Sequence, residues 1–112
     1  MLDADRVRLQ HMLDAAEEAV KFLKGQSRQA LHQDRKLAWA VVRAIEIIGE
    51  AAANISPACQ ATCSDIPWPQ IIAMRNRLIH AYFDVDVDRV WDTVQDDLPV
   101  LIPQLHRALS TQ

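Results

Sequence analysis

The spacing of apolar residues between Asp34 and Ile55 is the strongest constraint on how this chain folds. Along this segment they recur at steps of three and four residues, at Ala38, Val41, Ile45, Ile48, Ala52 and Ile55. Such steps place side chains on one face of an α-helix. The chain holds only two glycines, and Ala, Leu, Glu, Gln and Arg, which favour helices, dominate it. We therefore predict an all-α protein.

A first helix is predicted from capping residues and from a second apolar stripe. It begins with Asp3 as N-cap and runs to Lys24, and Gly25 follows where a left-handed C-cap is common. Its expected core stripe comprises Leu2, Val7 or Leu9, Leu13, Ala16, Val20 and Leu23. The polar residues 26–33 are either a connection or a loosely wound start of the second helix.

Prolines mark where later helices begin. Ser56 and Pro57 predict the N-cap and first residue of a short helix over 58–62. The break at residues 66–69, with its two prolines, predicts the entry to a fourth helix that runs to about Tyr82.

The last helix and the bundle as a whole follow from the same signals. Asp86 is the expected N-cap, and Pro99 and Pro103 should bend or split the helix because each removes a backbone donor. Short connections predict an antiparallel bundle of four to five helices, in one domain spanning residues 1–112. Gly49, inside the second helix, is expected to let another helix approach closely.

Charge and cysteine content limit the possible functions. The net charge is −3 and the pI is about 5.7, whereas proteins that bind nucleic acid by general electrostatics are basic. RNA contact would therefore need a local basic patch, such as one assembled across a dimer. Cys59 and Cys63 are too few for a disulfide scaffold and lack partners for zinc. No apolar run suits a membrane or a leader, so we expect a cytoplasmic protein without membrane contact, metal or cofactor.

The segment from Arg75 to Tyr82 carries the chemistry. It reads Arg-Asn-Arg-Leu-Ile-His-Ala-Tyr. On a helix, Asn76 and His80 lie four residues apart and are able to touch. Histidine exchanges protons near neutral pH, and arginine binds phosphate and stabilises charge in a transition state. RNA supplies its own nucleophile, the 2′-OH, so metal-free RNA cleavage is the chemistry these groups suit. Two Arg-His pairs facing each other across a dimer would provide an acid and a base.

These residues resemble the HEPN superfamily and, within it, the HepT type of toxin. Arg75 and His80 match the Arg-x4–6-His motif, and Tyr82 extends it to Arg-x4-His-x-Tyr. Three further segments are similar to that family in the same order: Ala44–Ala51 with its "IGEA" sequence, Ile66–Trp68, and Val90–Val94. The resemblance covers about Leu2 to Leu109.

The resemblance implies a homodimeric α-helical ribonuclease of a toxin–antitoxin system, paired with an MNT-type nucleotidyltransferase antitoxin. Arg75 and His80 would be catalytic, and Asn76 would orient His80. The antitoxin would attach AMP to Tyr82, and tRNA is the RNA expected as substrate. Phosphate binding by Arg77 is our own inference, because Arg77 is not a motif position.

Several alternatives stay open at the level of sequence. Arg43, Glu46 and Glu50 share a helix face, either as a solvated ion-pair row or as support for the catalytic site. Without the resemblance, His80 is also explained as a capping residue, and Tyr82 as an amphipathic residue at the core boundary. The rival functions are a non-catalytic nucleotide-binding or nucleotidyltransferase-partner module and a structural dimer subunit.

Overall fold

The structure, a computed structural model, describes residues 1–81 and 84–110, with the backbone alone at residues 80 and 81. Its α-helices are α1 (Asp3–Leu23), α2 (Arg28–Gln33), α3 (Arg35–Ala53), α4 (Pro57–Thr62), α5 (Trp68–Ala73), α6 (Val87–Asp92) and α7 (Leu98–Ser110). A 3-10 helix (Met74–Arg77) follows α5, and a π-helix (Thr93–Asp97) joins α6 to α7. Strand β1 (Ile79–Ala81) pairs antiparallel with β2 (Asp84–Val85). The predicted all-α bundle is confirmed, with one short hairpin added.

Helix α3 is central to the bundle. Its N-cap Asp34 accepts a hydrogen bond of 3.1 Å from the backbone N–H of Leu37, which satisfies a donor that the first turn leaves free. The predicted apolar stripe is buried throughout, so its assignment is confirmed: Ala38, Val41, Ile45, Ile48, Ala52 and Ile55. Helix α1 packs along α3 and also against α7, while α5 and the 3-10 helix pack on α3.

Gly49 is the point where α5 approaches α3 most closely. A Cβ atom placed on Gly49 would lie 3.4 Å from the carbonyl oxygen of Ile72 and 3.5 Å from that of Ile71. Both carbonyls belong to the last turn of α5. The predicted close helix approach is therefore confirmed, and a larger side chain at this position would push α5 away.

Helix α1 begins at Asp3 as predicted, but the predicted N-cap is wrong, because Leu2 is the N-cap and makes no side-chain hydrogen bond. The predicted stripe is confirmed in part: Leu9, Leu13, Ala16 and Leu23 are buried, while Leu2, Val7 and Val20 are exposed. The buried face follows residues 5, 9, 12, 16, 19 and 23, so it includes Asp5, which is not hydrophobic.

Asp5 is buried because Ser56 gives its carboxylate two hydrogen bonds. The backbone N–H of Ser56 donates to Oδ1 at 2.8 Å, and the Ser56 hydroxyl donates to Oδ2 at 2.7 Å. These two bonds, the backbone one first, lower the pKa of Asp5. The Ser56 Oγ also accepts from the Cys59 N–H as the predicted N-cap of α4. One serine therefore fixes the start of α4 against α1.

The predicted cap of α1 is confirmed, and so is a break next to Pro99, whereas the split predicted at Pro103 is wrong because α7 continues through it. Gly25 has φ of 77°, the left-handed conformation expected after a helix. The polar segment that follows forms a separate short helix, α2, capped by Ser27. At the other end, the π-helix precedes Pro99, whose ring would clash with the carbonyl of Gln95 in a continuous α-helix.

No helix in the described part of the chain combines the length and the apolar character needed to cross a membrane.

We predict opposite effects for two substitutions at Gly49. Gly49→Ala should be neutral or should stabilise the protein by up to about 1 kcal/mol, because alanine favours the helix and its Cβ fits at ordinary contact distance. Gly49→Leu should destabilise it by about 1–3 kcal/mol through overpacking against α5. Urea unfolding measures both, with Ala53→Leu on the exposed face of α3 as control. Equal stability of the Ala and Leu variants would contradict the close packing.

Candidate active site

The segment after α5 is held by two buried side chains with three exposed polar residues between them. Met74 and Leu78 are each 1% exposed and belong to the core. Arg75, Asn76 and Arg77, on the 3-10 helix between them, are exposed. The two buried side chains therefore anchor the backbone at both ends of this segment, and the three residues between them present their polar side chains to solvent.

The predicted helix through this segment to Tyr82 is wrong. The α-helix ends at Ala73, the 3-10 helix ends at Arg77, and β1 begins at Ile79. In a continuing helix the carbonyl of Leu78 would accept the N–H of residue 82. It instead accepts the backbone N–H of Asp86, at 2.6 Å, and this bond closes the hairpin.

The motif therefore spans a 3-10 helix and a strand rather than one helix face. The backbone of His80 lies in β1, whose Ile79 pairs with Val85. Asn76 and His80 therefore do not share the helix face on which their contact was predicted. The side chain of His80 and the whole of Tyr82 lie outside the described residues.

Glu50 joins the candidate catalytic arginine to α3. Its Oε1 lies 3.8 Å from Nη1 of Arg75 and 3.4 Å from Nη1 of Arg43. Each of the three side chains is about half exposed to solvent. The Arg43–Glu50 part of the row predicted on α3 is thus observed, and it continues to Arg75. Glu46 is half-buried, and no ion pair or hydrogen bond links it to another described side chain.

Arg77 has different neighbours from Arg75. Its Nη2 donates to the backbone carbonyl of Gln70 at 3.2 Å. It also lines a cleft together with Asp96 and Asp97 of the π-helix. Asn76 is exposed and has no hydrogen bond with a described residue. The roles expected for Arg77 in phosphate binding and for Asn76 in orienting His80 stay predictions.

Charged side chains connect α6, the helix after the hairpin, to α2. Arg28 binds Asp88 at 3.0 Å and Asp92 at 2.8 Å, and His32 Nε2 lies 2.9 Å from Asp88. The hydrogen bond to His32, followed by that to Arg28, lowers the pKa of Asp88. The Arg28 guanidinium also lies 6.0 Å from the centre of the Trp91 ring. Sequence analysis missed this cluster, because its members lie up to 64 residues apart.

Cys59 and Cys63 are buried, as predicted. Burial, with a further contribution from the neighbouring Cys63, raises the pKa of the Cys59 thiol to about 11. This thiol is therefore protonated at neutral pH and has little nucleophilic character. The described part of the chain contains no group of three or more His, Cys, Asp or Glu side chains placed to bind a metal ion.

The fold and this segment define a class of protein: a small helical bundle in which the exposed Arg75 precedes His80 by five residues. The model of the family described as "Ribonuclease HepT-like" matches residues 12–108. The chain belongs to the HepT-like ribonuclease family. No solved structure gives a significant match.

Named relatives agree with this membership. A protein of Thermococcus cleftensis named "Probable ribonuclease HepT" is 41% identical over 93 residues, which cover 80% of this chain and 84% of the relative. A protein of Caldanaerobacter subterraneus subsp. tengcongensis, named as a "Putative RNase", is 36% identical over 107 residues, 96% of either chain. Another "Putative RNase", from Methanocaldococcus jannaschii, is 33% identical over 91 residues, 81% of this chain and 84% of the relative.

Asp86 is predicted to stabilise both the hairpin and α6. Its side chain accepts the N–H of Arg89 at 3.1 Å as the expected N-cap, and its own N–H closes the hairpin on Leu78. Asp86→Ala removes the side-chain cap and keeps the backbone N–H, so it should cost about 1 kcal/mol, as the loss of a cap does, and should speed amide exchange in the first turn of α6. Ser27→Ala, which removes the cap of α2, is the control and should leave exchange in α6 unchanged. Unchanged exchange in the first turn of α6 of Asp86→Ala would contradict this role.

Proposed function

We propose that this protein cleaves RNA without a metal, using Arg75 and His80 from two copies that face each other across a dimer cleft. The observation that carries the proposal is the exposed Arg75 on a short, core-anchored 3-10 helix, five residues before the His80 backbone in β1. Membership in a family of ribonucleases supports it.

The proposed reaction needs one base and one acid. The imidazole of one His80 takes the proton of the 2′-OH, and the freed oxygen attacks the adjacent phosphorus. The bond from phosphorus to the 5′ oxygen breaks, and the second His80 gives that oxygen a proton. Arg75 binds the phosphate and stabilises the charge that grows on its oxygens in the transition state. Asn76 is proposed to orient His80, and Arg77 to contact a further phosphate.

The groove between α1 and α3 supports a second copy of this chain as partner. Its floor is apolar: Ala15, Phe22, Ala40, Ala44 and Ile47. Asp14 and Glu18 of α1 also line it, and Arg43 of α3 lies where the groove meets the candidate site. Arg43 is also paired with Glu50 beside Arg75, so a copy seated in the groove would lie next to the site.

We propose control by an MNT-type nucleotidyltransferase antitoxin that attaches AMP to Tyr82. The phenolic oxygen would attack the α-phosphorus of ATP, and pyrophosphate would leave. The product adds a bulky anion two residues from His80, which would compete with RNA for Arg75 and repel its phosphates. The protein would thus be the toxin of the pair, acting in the cytoplasm, away from membranes, with tRNA as the expected substrate.

His80→Ala should lower the rate of RNA cleavage at least about 100-fold, because proton transfer contributes that much or more. The measurement is cleavage of total tRNA by the purified protein in EDTA. His106→Ala, which removes an exposed histidine on α7, should leave the rate unchanged. Full activity of His80→Ala would end the proposed mechanism.

Co-expression with an MNT-type nucleotidyltransferase should add mass in units of AMP and should abolish cleavage. Peptide mapping should place the added mass on Tyr82, and Tyr82→Phe should gain no mass and stay active in the presence of the partner. Modification at another residue, or unmodified protein that is nonetheless inactive beside the partner, would contradict this mode of control.

The alternative is a non-catalytic module that binds nucleotides or the nucleotidyltransferase. The acidic net charge of −3 favours it, as does the pairing of Arg75 with Glu50. This module would bind its ligand in EDTA without cleaving RNA. A third interpretation is a structural dimer subunit without activity. If it holds, Arg75→Ala would change the oligomeric state of the protein rather than an activity.

A further inference from the structure

Arg43 is a second arginine at the candidate site that the family motif does not include. It lies on α3, while Arg75 lies on the 3-10 helix after α5. Both guanidinium groups approach one oxygen, Oε1 of Glu50, at 3.4 Å and 3.8 Å. Two elements distant in sequence therefore bring two positive charges to a single anionic atom.

This arrangement has the chemistry of a phosphate site. A phosphate oxygen is the anionic acceptor that guanidinium groups bind best, and two arginines around one phosphate provide geometry as well as charge. Here the Glu50 carboxylate takes the position of that anion. The side chains of Arg43, Glu50 and Arg75 are 60%, 46% and 47% exposed. Exposed ion pairs are weak, so a phosphate is able to displace the carboxylate.

We propose that Arg43 and Arg75 form a two-arginine clamp for a backbone phosphate of RNA, and that Glu50 occupies the clamp until RNA displaces it. The proposal rests on the proposed function, since it names a binding residue for that substrate. Glu50 then acts as a competitor that sets RNA affinity rather than as a ligand of RNA.

The surroundings define the side from which the phosphate enters. Arg43 also lines the groove between α1 and α3, where Asp14 and Glu18 would repel a polyanion. Arg75 is exposed, and among the described residues Glu50 is the one carboxylate that pairs with it. The strand therefore binds along the row from Arg43 to Arg75 and not along the groove.

The test measures binding of an RNA oligonucleotide methylated at every 2′ oxygen, which the protein is unable to cleave. Fluorescence anisotropy in EDTA, between about 50 and 200 mM KCl, gives the affinity and its salt dependence. Arg43→Ala should weaken binding and should reduce the slope of log affinity against log salt by about 0.7, the value for one lost contact to a single strand. Arg43→Lys should keep the slope and lose part of the affinity.

Matched controls exist on α7. Arg107 is 64% exposed and pairs with Asp65 at 3.3 Å, so Arg107→Ala removes the same charge and a similar ion pair at a remote place. Its slope should equal that of the wild type. Glu50→Gln should tighten binding about threefold to fivefold, the strength of an exposed ion pair, whereas Asp65→Asn should not.

Three results would overturn the clamp. These are an Arg43→Ala slope equal to that of Arg107→Ala, weaker binding by Glu50→Gln, or a changed oligomeric state of Arg43→Ala, which would assign Arg43 to a subunit contact. Failure of the proposed function is distinguishable from these results. The wild type would then bind the methylated RNA with the expected slopes but would leave unmodified RNA intact.

Discussion

The contact between Gly49 and the last turn of α5 is the constraint on which the candidate site depends. Because residue 49 is a glycine, the carbonyl oxygens of Ile72 and Ile71 lie only 3.4 Å and 3.5 Å from the position that a Cβ atom would take. The 3-10 helix follows α5 without a linker, so its position is set by that approach. One turn beyond the contact, Arg75 meets Glu50, which is the next residue of α3 after Gly49. The absence of a bulky side chain at residue 49 thus lets α5 place a catalytic candidate against its ion-pair partner.

Much of the fold could be predicted because it is encoded locally. The stripe of α3 needs only helical period, and the caps at Ser56 and Asp86 need only a polar side chain three residues before a free N–H. The failures involve partners far away in sequence. Asp5 is buried because Ser56, 51 residues later, supplies its donors. The 3-10 helix after α5 does not continue toward residue 82, because the carbonyl of Leu78 accepts the backbone N–H of Asp86.

The sequence motif located the candidate site, but it did not predict which residues surround Arg75. Arg75 was identified by spacing to His80, whereas its pairing with Glu50 required knowing that α5 crosses α3 at Gly49. The helical spacing had also predicted a contact between Asn76 and His80, but the structure forms a hairpin where that helix was expected. The residues of a segment reveal its chemistry more readily than its backbone path, because hydrogen bonds to residues outside the segment decide that path.

The backbone path also bears on how many residues can separate Arg75 from His80. On a single helix each inserted residue would rotate the histidine by about 100° away from the arginine. Here a 3-10 helix carries Arg75, and β1 carries the backbone of His80, with buried Leu78 between them. An insertion near this junction would lengthen a turn without changing the anchored elements on either side. Variable spacing is therefore a property that this architecture permits and that a continuous helix would forbid.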